Sequence, residues 1–105
     1  MVLKKNMKIK YSPQVGNQFE IQYSITGETI TATINGETDS FDLSVITEDN
    51  RFNGYETNLP LKPICTAFRN ADGLHVELFK QIGVDATREE RFPEYFEFTD
   101  GVLNG

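Results

Sequence analysis

The chain of 105 residues has no tryptophan, one cysteine and one histidine. Cys65 alone cannot close an intramolecular disulfide, and it leaves a thiolate zinc site short of ligands. It falls in Ile64-Cys65-Thr66-Ala67-Phe68, a strand-like segment. A buried structural thiol is expected there, not a nucleophile. His75 lies between Leu74 and Val76, so it should point away from the core as an exposed strand residue. No partner for a triad or a metal site is signalled near it. Bases are scarce as well, ten Lys and Arg against sixteen Asp and Glu, for a net charge of −6. Lys4, Lys5, Lys8 and Lys10 fall in the first ten residues, so the rest holds six bases against sixteen acids, a balance of −10. Phosphate backbones are bound by cations that displace counterions. Nucleic acid is therefore not an expected partner, and the lysines read as a solvated terminus.

Other absences narrow the class further. No apolar run approaches the ~18–20 residues that cross a bilayer, and no apolar stretch follows the N-terminal charge as in a secretory signal. A soluble chain made in the cytoplasm is expected. The glycines stand singly at turns, without a phosphate-cradling run. Glu89-Glu90 and the Glu94/Glu97 pair are adjacent surface acids, whereas glycosidase chemistry needs two acids across a cleft. Asp39-Ser40-Phe41-Asp42 and Asp72-Gly73 lack the alternating ligands of a calcium loop. No catalytic residue, cofactor or metal ligand is expected, and the chain reads as a non-enzyme.

What the sequence does contain is period two. Met7-Lys8-Ile9-Lys10-Tyr11 alternates apolar and basic residues until Ser12-Pro13. Phe19 to Ile25 alternates without a flaw, with Phe19, Ile21, Tyr23 and Ile25 on one face. Thr26-Gly27 marks a turn. Thr29 to Ile34 then runs into Asn35-Gly36, the strongest short hairpin signal. A two-residue type I′ loop there places Ile34 opposite Glu37, Ala32 opposite Asp39 and Ile30 opposite Phe41. Ile30, Ala32, Phe41 and Leu43 share the apolar face, while Thr29, Thr31, Thr33, Thr38, Ser40 and Asp42 share the other. Asp39 alone breaks the pattern and is expected where water reaches it.

Further along, Phe52 and Tyr55 could flank a short hairpin at Asn53-Gly54. Pro60 and Pro63 argue for an extended crossover. Ile64–Phe68 and Leu74–Phe79 form another hairpin. A three-residue loop, Ala71-Asp72-Gly73, is preferred because it sets Phe68 opposite Val76 and Thr66 opposite Leu78; His75 then faces Arg69. Thr87-Arg88-Glu89-Glu90 spells a capping box, and Pro93 stops the helix. A last strand covers 94–98, and Val102–Gly105 should fray.

The expected fold is all-β: about seven short, mostly antiparallel strands in a sandwich or partly open barrel, with at most one helical turn near 87–92. Residues 1–6 form a basic, flexible extension, with Met7 a second plausible start. Residues 7–100 form the single domain, and 101–105 its frayed end. Eight Phe and four Tyr are expected to supply the core in place of Trp.

The best surface candidate lies in residues 86–100. Alternation cannot bury both Tyr95 and Phe96 on one side of a strand, so one must face outward or meet a partner. Arg88, Glu89, Glu90, Phe92, Glu94, Tyr95, Phe96 and Glu97 form this candidate interaction surface, aromatic residues interleaved with charge.

The order of segments also resembles a known group. Met7-Lys8-Ile9-Lys10-Tyr11-Ser12-Pro13, the Ile30–Phe41 hairpin, and the stretch from Leu61-Lys62-Pro63 through Asp72-Gly73-Leu74-His75-Val76-Glu77-Leu78 to Glu89-Glu90-Arg91-Phe92-Pro93-Glu94 carry the resemblance. Together they resemble small uncharacterised proteins of Gram-positive phages and prophages, found in tail or late structural gene regions. The resemblance implies a phage setting. Together with the hairpin-rich architecture and the missing catalytic constellation, it leads to the expectation of a non-enzymatic phage structural or assembly protein acting through its sheet edges and the 86–100 surface. Other phage proteins or a second copy are then the expected partners, and the host cytoplasm or the virion the expected location. Two alternatives belong to other classes: an acidic decoy for a host DNA-binding protein, and a small-ligand-binding β module.

Overall fold

The period-two segments become strands in the computed structural model, which describes residues 7–50, 52 and 55–105. The expected basic extension at 1–6 and the Asn53-Gly54 turn lie outside the described residues. Eight strands form two four-stranded sheets. In chain order they are β1 (Met7–Val15), β2 (Ile21–Thr26), β3 (Thr29–Ile34), β4 (Glu37–Asp42), β5 (Ile64–Asn70), β6 (Gly73–Ile82), β7 (Phe96–Phe98) and β8 (Gly101–Asn104). One sheet has the order β5-β6-β1-β7, the other β4-β3-β2-β8. The architecture is a sandwich and not a closed barrel. All pairings are antiparallel except β1 with β6, which run parallel from Lys8↔His75 to Val15↔Ile82. A parallel neighbour needs a crossover, and everything between β1 and β6 supplies it.

The second sheet follows the pattern closely. Ile21, Tyr23 and Ile25 of β2, Ile30, Ala32 and Ile34 of β3, and Phe41 of β4 are buried. On the opposite face Thr31 and Ser40 share a hydrogen bond of 2.8 Å, and Thr33 and Thr38 one of 3.0 Å. The β3–β4 register is the expected one, with Ile34↔Glu37, Ala32↔Asp39 and Ile30↔Phe41. Asn35 (φ +51°) and Gly36 (φ +83°) occupy the left-handed region, as a type I′ turn requires. Asn35 Oδ1 also accepts the Glu20 amide at 2.9 Å. A Cβ at Gly36 would meet no atom within 4 Å, so Gly36→Ala carries a purely conformational penalty of about 1 kcal/mol. Asn35→Ala loses the Glu20 bond as well and should cost about 1–2 kcal/mol. Urea midpoints with unchanged m-values would show this order; equal, null effects would mean the turn does not set the register.

The first sheet holds the corrections. The β5–β6 turn is Ala71-Asp72, flanked by Asn70↔Gly73, so Arg69 faces Leu74, Phe68 faces His75 and Ala67 faces Val76. The expected three-residue loop is wrong by one position. Asn70 accepts the Asp72 amide at 2.8 Å, and Gly73, at φ +112°, opens the returning strand. A β-bulge at Cys65 then absorbs one residue between Ile64 and Thr66. Both Ile64 and Ala67 therefore face the core, and Phe68 faces out. Asp39 is half-buried, still reached by water beside Glu56 and Lys62, and it accepts a 2.7 Å hydrogen bond from Thr57. The tail expected to fray is an eighth strand: β8 pairs with β2 from Gly101↔Ile25 to Asn104↔Gln22, and the Gly105 amide donates to Ile21 O at 3.0 Å.

The core is mainly aliphatic. Met7, Ile9, Ile64, Leu74, Val76 and Leu78 of one sheet meet the buried face of the other, joined by Leu43, Ile46 and Leu59 of the β4–β5 connection. Tyr23 and Phe41 are its only buried aromatics among the described residues. Phe19, Phe52, Tyr55, Phe79, Phe96 and Phe98 pack half-buried around its margin. The aromatic core expected from composition is thus an aromatic rim.

Candidate functional site

The eight candidate residues divide into three environments. Thr87 caps a short helix, Arg88–Arg91, through the expected capping box: its Oγ1 accepts the Glu90 amide, and the Glu90 carboxylate accepts the Thr87 amide, each at 3.2 Å. Glu90 is therefore committed within the chain rather than presented to a partner. Arg91 folds back, donating from Nε to Ala86 O at 3.1 Å and from its terminal nitrogen to Val84 O. This clamped turn presents Phe92, 72% exposed, with Arg88, Glu89 and Glu94 around one shallow depression.

Beyond Pro93 the alternation resolves as expected. Phe96 turns inward, its ring centroid 5.4 Å from that of Tyr11. Tyr95 turns outward and is 39% exposed, while Glu97, opposite Lys8, lies on that same outer face. His75 is the centre of this face, but it is not the exposed residue expected. It is 8% exposed, stacked on Phe68 at 4.7 Å and met edge-on by Tyr95 at 5.1 Å. Its Nδ1 lies 3.1 Å from Gly73 O; a carbonyl only accepts, so Nδ1 carries a proton. Lys10 reaches over the Tyr95 ring and lies 4.0 Å from Glu77. Two lysines assigned to a solvated terminus, Lys8 and Lys10, thus belong to the sheet.

A second feature sits at the other end of that outer face. There β1 contributes Ser12 and Gln14, β6 contributes Phe79 and Gln81, and the bulge brings in Cys65. The 16–20 connection and Leu61 wall this floor into a groove of about 410 Å³. The Gln81 amide holds the wall in place. It accepts the Phe19 amide at 2.9 Å and donates to Phe19 O at 2.6 Å. Cys65 is exposed as a residue, not buried as expected. Partial burial of its thiol raises its pKa; the neighbouring Ser12 hydroxyl pulls the other way, and the charge of Glu77 adds to the rise. A raised pKa leaves little thiolate at neutral pH.

Sequence reasoning did not find this groove. A signal for it exists: Tyr11 to Phe19 is a run of nine uncharged residues in a chain that is 25% charged. The partners from β6 and β5 could not be read, because they depend on the parallel β1–β6 pairing and on the bulge. Among the described residues no cluster of three or more His, Cys, Asp or Glu could hold a metal ion. No described helix is long and apolar enough to cross a membrane. Comparison with protein-family models, with characterised proteins and with solved structures finds no match.

Proposed function

We propose that this chain is a non-enzymatic β-sandwich that works by protein–protein contact through the turn carrying Phe92, as a structural or assembly component of a phage particle. The observation that carries the contact reading is the clamped presentation of Phe92. A capping box and two arginine-to-carbonyl hydrogen bonds order the 84–92 segment. Yet its largest apolar side chain is left 72% exposed. Ordering a surface turn costs conformational entropy, and an ordered aromatic ringed by Arg88, Glu89 and Glu94 has the composition of an interface anchor. Val84, also 72% exposed, extends the apolar area. The phage setting rests on the resemblance of the segment order alone. Its partners are then other phage proteins or a second copy, in the host cytoplasm and in the virion.

Mass spectrometry of purified particles from the source strain tests the setting, and a variant tests the surface. The chain is expected at a fixed copy number per particle, and Phe92→Ser should lower its incorporation at least tenfold, equivalent to about 1.4 kcal/mol. The free variant should keep the wild-type urea midpoint, because Phe92 is exposed. If infected cells make the chain but particles lack it, the structural reading fails. If Phe92→Ser is incorporated normally, the surface is misassigned.

A further inference from the structure

We propose that the groove on the outer face of the first sheet binds a neutral, hydroxyl-rich small molecule of the sugar class. Three observations lead there. First, none of the residues lining the groove is charged, although the chain as a whole carries −6. A site that selected ions or acidic or basic peptides would present a compensating charge. Its volume of about 410 Å³ falls in the range of small-molecule sites, ~300–1,000 Å³.

Second, the polar groups are arranged for directional recognition. Gln81 is consumed in pinning Phe19, so the wall is ordered before any ligand arrives. The side-chain amides of Gln14 and Gln18 make no hydrogen bond among the described residues. Each primary amide offers both donors and an acceptor, which suits hydroxyl groups that also do both. Phe19 and Phe79 supply apolar surface for the C–H face of a saturated ring.

Third, the sheet edge beside the groove is closed to extended peptides. The Gly16 amide donates to Ile82 O at 3.0 Å, so the even-numbered backbone groups at this end of β1 face β6. The odd-numbered groups face the side where β7 pairs only as far as Ile9. Pro13 falls on that open side and has no N–H to offer. Proline on an edge strand blocks the ladder by which peptides add to sheets. That leaves side-chain recognition, and an uncharged polyol is the ligand class it fits best.

The test is titration of the full chain, uniformly ¹⁵N-labelled, with glucose, galactose and cellobiose. Glucuronate and an uncharged Gly-Ser peptide serve as competing classes. At least one neutral sugar should shift the amides of residues 14–19 and 79–81 saturably, with millimolar affinity. At saturation the same sugar should slow alkylation of Cys65 by iodoacetamide severalfold. The Gln14→Ala/Gln18→Ala double variant should weaken binding at least tenfold while its circular dichroism stays unchanged; both side chains are exposed and unpartnered, so folding is not at stake. Absence of saturable shifts with all three sugars overturns the proposal. So does equal or tighter binding of glucuronate or the peptide, or undiminished affinity in the double variant.

Discussion

Replacing Arg69 by alanine should remove about 2–4 kcal/mol of stability, a large share of the roughly 5–15 kcal/mol that a domain of this size holds. Arg69 leaves the end of β5 and crosses to the other sheet. Its two terminal nitrogens donate to the Glu28 carboxylate at 2.9 and 3.1 Å, and Nε donates to Ile46 O at 2.6 Å. A longer bond of 3.5 Å reaches Leu43 O. The guanidinium thus joins the β2–β3 turn, the 3-10 turn at Leu43–Val45 and the β5–β6 hairpin at one corner. The two side chains are 20% and 14% exposed. Water screens them only in part, and the pair counts for more than a surface ion pair. Truncating Arg69 strands a carboxylate and a carbonyl in that half-dry corner. Arg69→Lys keeps the charge but loses the fork, and should recover less than half of the deficit. Urea unfolding of the wild type, both single variants and the Arg69→Ala/Glu28→Ala pair would measure the coupling. A loss under about 0.5 kcal/mol for Arg69→Ala would show that the corner is held by packing alone.

That corner also shows where the sequence could be read and where it could not. The Asn35-Gly36 hairpin was legible because the turn chemistry and two flanking alternations agree on one register. The Thr87–Glu90 box was legible because its geometry is local. Arg69 and Glu28 lie 41 positions apart and belong to different sheets, so no periodicity links them. The β5–β6 register was missed for another reason. The expected register sets Phe68 opposite Val76, on the core side of β6, whereas the bulge at Cys65 moves Ala67 inward and turns Phe68 out against His75. The preference for burying the larger apolar group misled the reading, because His75 and Tyr95 give Phe68 a second, outer cluster. The groove needed both the bulge and a parallel strand pairing, and neither leaves a mark in sequence. The Phe92 turn was legible in kind, as aromatic residues among charges. Its division into presented Phe92, internally bound Glu90 and inward Phe96 was not.

A second large effect is expected in alkali. Tyr23 is fully buried, and its hydroxyl donates to Phe79 O. Burial, more than the neighbouring Cys65, Tyr55 and Tyr11 groups, raises its pKa far above the ordinary phenol value of 10.0. Tyr55 accepts the Ile64 amide at 2.8 Å and donates to Ile64 O at 3.1 Å. Burial pushes it up to about 12, with the Ile64 amide pulling the other way. In both cases the folded chain holds a proton that the unfolded chain releases above pH 10. The stabilisation is therefore complete below pH 10 and is lost as pH rises from 10 towards the folded values. Each tyrosine contributes a slope of up to about 1.4 kcal/mol per pH unit, and the part of Tyr55 that water reaches lowers its share. The urea midpoint should fall steeply between pH about 10 and about 12. Tyr23→Phe should cost about 1–2 kcal/mol at neutral pH, the price of the lost hydrogen bond, yet show a shallower alkaline slope than the wild type. Equal slopes would mean that other groups drive the loss. The two tyrosines hold the strands that frame the groove, Tyr23 at Phe79 and Tyr55 at Ile64 beside Cys65. Amide shifts at 79–81, beside the carbonyl that the Tyr23 hydroxyl bonds, should accordingly change early in the alkaline transition, ahead of those of Asn35 and Gly36 at the β3–β4 turn.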